Sequence, residues 1–279
     1  MDLIIQAPTL DAATAASIAE LCGAASMRAL DGDGPPAWRL SAIRSGDGIA
    51  AACARAHCDH ALVPADLVRS SVRVVAMDMD STLITIECID EIADLQGIKA
   101  EVAAITASAM RGEIDFRESL TRRVALLAGL PVSALEAVYD QRLQLSPGAE
   151  RMLAGFRAQG ARTLLVSGGF TFFTDRLQRR LGLDATASNT LEIAAGRLTG
   201  RLLGEIVDAE GKARELRAMR ARHATDGGIV LALGDGANDL PMLAAADVSI
   251  AYRAKPVVRA RATYALDYCG LDGALNLFA

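Results

Sequence analysis

Aromatic residues are scarce. Phe, Tyr and Trp together make 4% of the 279 residues. A core must therefore be built from Ala, Leu, Ile and Val, and the 52% hydrophobic content supplies them. Cysteine is also thin. Cys22, Cys53, Cys58, Cys88 and Cys269 form an odd, scattered set. That argues against a disulfide framework and fits small buried residues of a reducing compartment. No apolar run approaches the ~18 residues of a membrane-spanning helix. The opening segment MDLIIQAPTLDAA lacks the basic stretch of a secretory signal, so the expected location is the cytoplasm. Positive charge is not clustered. The 29 Lys and Arg are interleaved with 34 Asp and Glu, for a net charge of −5, which leaves no basic face for nucleic acid. Only three of the cations are lysines: Lys99, Lys212 and Lys255.

What is present is organised. Residues 1–70 read as β-α-β-β-α-β, a small α+β module whose pattern is ACT-like, with Asp11 as a helix cap and DGDGPP as a breaker. Within it, Cys53, His57, Cys58 and His60 lie close together, and Cys53 and His57 at i, i+4 would share a helix face. No second ligand pair of recognised spacing follows, so the segment reads as an Ala-rich helix with core cysteines. From residue 72 the pattern changes. VRVVAM, ARTLLV and GIVLAL are continuous apolar runs, as expected for strands buried on both faces of a parallel sheet. Each ends in a polar, Gly-containing or acidic turn (DMDST, SGGF, GDGAND), and a helical segment follows each. In such sheets ligands bind beyond the carboxyl ends of the strands. Between the first two runs, about eighty residues show only helical periodicity and read as a lid-like insertion.

The turns carry the candidate chemistry. Asp78 and Asp80 end a strand at i, i+2, a spacing that puts both carboxylates on one face and turns Met79 away. Two close acids suit a cation, with one attacking and the other moving protons. Asp235, with Asp239 four residues on, can join them in an oxygen-only cation site, for which magnesium fits. The alternative is an ordinary Gly-Asp turn. Ser167 and two glycines before a helix suit an anion. Lys212 near a helix start is a compact charge for a phosphate.

DxDST, SGG, a lone Lys and GDGAND, in that order, resemble the haloacid dehalogenase-like phosphatases over residues 72 to about 265. ECIDEIA, ITASAMRGEIDFRESLTRRVALLAGL, VSGGFTFFTDRL, SNTLEI, LTG and AYRAKP resemble the bacterial phosphoserine phosphatases among them. The resemblance implies an α/β fold: a Rossmann-like parallel sheet over residues 71–279 with a helical cap at about 87–145. It implies that Asp78 is the nucleophile and Asp80 the general acid and then base. Magnesium would be held by Asp78, Asp235 and the main-chain carbonyl of Asp80. Ser167, Gly168 and Lys212 would contact phosphate, with Asn238 beside them. Glu87 and Arg123 would recognise the substrate's amino and carboxylate groups, with Arg122 as a rival for the second role.

The activity so implied is hydrolysis of O-phospho-L-serine to L-serine and phosphate, the last step of serine biosynthesis. A phosphatase or phosphotransferase for another small phosphate monoester is the alternative. The implied partner is a small molecule, with neither nucleic acid nor membrane, and a homodimer is left open. A response receiver also has an acid cluster, a hydroxyl and a lysine on an α/β fold, but it lacks a large helical insertion after the first strand. Residues 1–70 depart from the usual pattern in lacking a glycine-marked effector motif.

Overall fold

The computed structural model describes residues 1–65 and 67–279. Its amino-terminal part runs β1 (Asp2–Gln6), α1 (Ala12–Cys22), β2 (Ser26–Ala29), β3 (Ala37–Ser41), α2 (Ile49–Arg55) and β4 (Asp59–Val63). These form a four-stranded antiparallel sheet in the order β2-β3-β1-β4. Asp11 caps α1 by accepting the Thr14 N–H at 2.7 Å, as its residue type suggests. Alternate residues of β1 serve two cores. Leu3 and Ile5 pack with α1 and α2, whereas Ile4 joins the core of the larger sheet.

The chain continues through β5 (Val72–Met77), then α3 (Cys88–Leu95), α4 (Lys99–Met110), α5 (Phe116–Ala125) and α6 (Ser133–Gln141), the helical insertion that the periodicity predicts. Next come α7 (Ala149–Arg157), β6 (Arg162–Phe170), α8 (Thr171–Leu181), β7 (Ala185–Ala194), β8 (Arg197–Leu203) and α9 (Ala209–His223). The chain closes with β9 (Ile229–Gly234), α10 (Leu240–Ala244), β10 (Val248–Tyr252), α11 (Pro256–Arg259), β11 (Tyr264–Leu266) and α12 (Gly273–Asn276). The second sheet has seven strands in the order β11-β10-β9-β5-β6-β7-β8, all parallel except the β7–β8 hairpin.

The continuous apolar runs are explained by burial on both faces. Val75, Met77, Leu165, Leu231 and Leu233 face one core; Val74, Ala76, Leu164, Val166, Val230 and Ala232 face the other, under Leu216 and Met219 of α9. From β5 the chain moves to β6 and β7 on one side, then returns to β9, β10 and β11 on the other. The strand order therefore reverses at β5, where such sheets place their ligands. In register, Met77 lies beside Leu165 and beside Leu233. The residues just past those positions (Asp78, Ser167, Asp235) consequently emerge together at one sheet end.

Two local expectations need correction. The Ala-rich helix stops at Arg55, His57 takes φ +50°, and His60 lies in β4, so the four Cys and His side chains do not share a helix. Cys53 and Cys58 are buried core residues, and among the described residues only Asp78, Asp235 and Asp239 gather as a metal-holding group. Likewise, Asp78 and Asp80 are not on a strand. β5 ends at Met77, and an irregular turn follows in which Ser81 takes φ +55°.

Candidate active site

The turn after β5 brings its two acids together by loop closure, not by strand alternation. The Asp78 N–H donates to the Leu233 carbonyl at 3.1 Å, stitching the turn to β9. Leu83 N–H then returns to Asp78 O and Ser81 N–H to Ile86 O, which curls the chain so that Asp78 and Asp80 both line one cavity. Met79 does point away, into the core. The cavity measures about 480 Å³ and lies between the strand ends and helices α3, α4 and α5.

Behind Asp78, Lys212 is 1% exposed and reaches two carboxylates. Its Nζ lies 2.7 Å from Asp78 Oδ1 and donates to Asp239 Oδ1, also at 2.7 Å. A buried ammonium is tolerated because paired charges repay its lost hydration. Burial opposes the charge, but the carboxylates prevail and hold its pKa above the ordinary value. Asp78 Oδ1 also accepts the Met79 N–H at 2.7 Å, so both donors fall on one oxygen and fix the rotamer. Burial pushes Asp78 well above the usual carboxylate range, with Asp239 adding to it and Lys212 opposing. Burial and then Glu87 raise Asp80 to about 7. Burial and then Asp239 raise Asp235 to about 6. Burial leads each of these shifts, and the carboxylates Asp78, Asp235 and Asp239 gather around the single buried ammonium of Lys212, a charge balance that would suit a divalent ion.

One oxygen each of Asp78, Asp235 and Asp239 lie within 4.8 Å of one another. Asp239, however, is fully engaged. Its Oδ1 takes Lys212, and its Oδ2 accepts the N–H groups of Asp235 and Gly236 at 3.1 and 3.0 Å. It serves as the clamp that shapes the GDGAND turn. Asp235 is steadied by Thr82 Oγ1 at 3.1 Å, a partner that sequence reasoning missed although it lies inside DxDST.

The SGGF turn differs from the expected helix start. β6 runs on through Phe170, and its register with β7 slips between Val166 and Phe170, so the glycines sit in a bulge that re-aims the backbone. Ser167 Oγ accepts the Gly169 N–H at 2.8 Å. A Cβ on Gly169 would stand 2.8 Å from Met79 Cε and 3.1 Å from Asp80 Oδ2, so only glycine lets this turn approach the acids.

The insertion forms the roof. Glu87 precedes α3 without capping it, and its Oε1 instead accepts Ser81 Oγ at 2.8 Å. Burial raises its pKa, against the pull of that hydrogen bond. Arg123 lines the cavity with its Nε buried and unpartnered, whereas Arg122 turns outward to Glu118 at 2.5 Å. Burial lowers the Arg123 pKa, opposed by Asp90, Glu87 and Asp80. Asn238 also lines the cavity. So does Lys255, which lies within AYRAKP and to which the sequence assigns no role. Its rarity as one of three lysines was the signal available.

Comparisons with known proteins identify the family. The family model described as haloacid dehalogenase-like hydrolase matches residues 75–244. A phosphoserine phosphatase of Polaromonas is 52% identical over 217 residues, 76% of this chain and 92% of the relative. A probable phosphoserine phosphatase of Vibrio cholerae, solved unliganded, superimposes with a TM-score of 0.82 at 37% identity, covering 99% of this chain and 86% of the other. A phosphoserine phosphatase solved as a phospho-aspartyl intermediate analogue gives a TM-score of 0.68 at 34% identity, over 75% of this chain and 99% of the other. The chain therefore belongs to the haloacid dehalogenase-like hydrolase family, as a relative of phosphoserine phosphatases.

Proposed function

We propose that this protein hydrolyses O-phospho-L-serine to L-serine and phosphate through an aspartyl-phosphate on Asp78. The carrying observation is the cavity itself: Asp78, Asp80, Asp235 and the Ser167–Gly169 turn at its floor, and Glu87 and Arg123 in its roof. That distribution matches the three charged groups of phosphoserine. Arg123, with a free buried Nε, suits bidentate capture of the carboxylate, and Glu87 suits the ammonium. The names of the relatives support the same substrate.

Asp78 attacks phosphorus as the bond to the serine oxygen breaks, and Asp80 gives that oxygen its proton. Asp80 then takes a proton from the water that attacks the acyl phosphate, releasing phosphate and restoring Asp78. Lys212, Ser167 and Gly168 hold the phosphoryl oxygens, with Asn238 beside them, so that attack and departure stay in line. Asp78, Asp235 and the main-chain carbonyl of Asp80 would hold magnesium, which supplies charge neutralisation at the phosphoryl group.

The β-α-β-β-α-β order supports reading residues 1–70 as a separate ACT-like module, with 71–279 as the catalytic unit and a cap at about 87–145. Among the described residues no helix is long and apolar enough to cross a membrane, and we place the enzyme in the cytoplasm as part of serine biosynthesis. Phosphate release from L-phosphoserine and a panel of small phosphate esters, with and without magnesium, tests the reading. A magnesium-dependent preference for phosphoserine is expected. Equal use of the panel would keep a phosphatase and remove the roles of Glu87 and Arg123.

A further inference from the structure

Asn189 touches none of the reacting groups, yet it is 2% exposed and uses both ends of its amide. Its Nδ2 donates to the Gly168 carbonyl at 2.8 Å, and its Oδ1 accepts the Val207 N–H at 2.8 Å. The first partner lies in the SGGF turn. The second precedes Asp208, the residue that caps α9 by accepting the Gly211 N–H at 2.9 Å, and α9 carries Lys212. Asn189 itself sits on β7 in register with Phe170, so the sheet fixes its backbone. The side chain is thus a short strut between two loops that face the same anion.

The strut has a direction. In a trans peptide the carbonyl and the next N–H point opposite ways. The Gly168 carbonyl is turned toward Asn189, and the Gly169 N–H is turned toward Ser167 Oγ. With glycine on both sides, steric limits do little to hold that plane. A flipped plane would turn a carbonyl dipole toward Ser167 Oγ and remove the N–H that holds that hydroxyl in place.

We propose that Asn189 is a positioning residue for the phosphate group, locking the Gly168–Gly169 peptide and tying that turn to the loop that leads into the Lys212 helix. This rests on the reading of SGGF as the phosphate cradle. Asn189→Asp keeps the size and the acceptor for Val207 but removes the donor to Gly168, and Asn189→Ala removes both. Thr199→Val on the same hairpin breaks only bonds to Glu192 and is the control. For each variant, calorimetric binding of inorganic phosphate, KM and kcat with phosphoserine, and the melting temperature are measured.

Both Asn189 variants are expected to weaken phosphate binding and raise KM roughly ten-fold or more. Thr199→Val should move neither. Unchanged phosphate affinity in folded Asn189→Asp overturns the proposal, as does a loss that follows melting temperature across all three variants. If Asn189→Ala does not fold, Asn189→Asp and Asn189→Ser decide. If the unaltered protein binds phosphate but does not cleave phosphoserine, the substrate reading fails while the calorimetry still decides the role of Asn189.

Discussion

In the proposed reaction Asp78 is the nucleophile, and its removal should be felt in turnover before stability. Asp78→Asn is nearly isosteric, and its amide oxygen can still accept from Met79 and Lys212. Phosphate release should fall by roughly 10³-fold or more, with a near-UV circular dichroism spectrum like that of the parent. Retained turnover would move the nucleophile elsewhere. Arg123→Ala should cost phosphoserine far more than an aryl phosphate that lacks a carboxylate, by roughly 10- to 100-fold in kcat/KM. Equal losses would assign Arg123 to the phosphate. At this scale the gathering of Asp78, Asp80 and Asp235 at one cavity was legible, because these carboxylates follow apolar strands at recognisable spacings. What was not legible depended on the third dimension. Which of Arg122 and Arg123 turns inward is set by how α5 packs, and the engagement of Asp239 by Lys212, Asp235 and Gly236 needs the folded turn.

Elements were read best where burial is two-sided. β5, β6 and β9 announce themselves as unbroken apolar runs, and the four cap helices by their periodicity. β7 and β8 do not. They form a half-buried hairpin rich in Thr, Ser and Asn, turning at Ala195 and Gly196, both at positive φ, without the usual Asn-Gly signal. Contacts between distant elements were equally silent. Asp59, at the start of β4, is buried, and its carboxylate accepts the N–H groups of Asp267, Tyr268 and Cys269 just past β11. It therefore pins the carboxyl-terminal segment to the smaller sheet. Asp59→Ala leaves those donors unsatisfied and should cost ~3 kcal/mol in urea unfolding. A loss under about 0.5 kcal/mol, the scale of an ordinary surface substitution, would show that the three donors find other partners.

The whole molecule joins its two sheets through residues far apart in sequence. Ile4, Ala61 and Val63 enter the core of the larger sheet, and Asn276 Nδ2 donates to Gln6 Oε1 at 2.8 Å across that junction. Nothing in the order of residues foretells this, since it depends on how finished elements dock. The buried excess of carboxylate over ammonium has a global consequence as well. A cation that binds only the folded state stabilises it by about 2.7 kcal/mol at a hundred times its dissociation constant. Magnesium should therefore raise the melting temperature by several degrees, and Asp235→Asn should abolish the rise. Identical melting curves with and without the ion would remove Asp235 as a ligand.

The sealing of Lys212 also has a use in chemical labelling. Of the three lysine side chains, Lys212 is 1% exposed, Lys99 lies on the surface paired with Asp94, and Lys255 stands on the cavity rim. An amine-acylating reagent should modify Lys99 and Lys255 of the native protein and spare Lys212 until it unfolds, as peptide mass mapping would show. With Lys99 replaced by arginine, a dye attached at Lys255 would sit against the cavity and report its occupancy from a chain that needs no engineered cysteine.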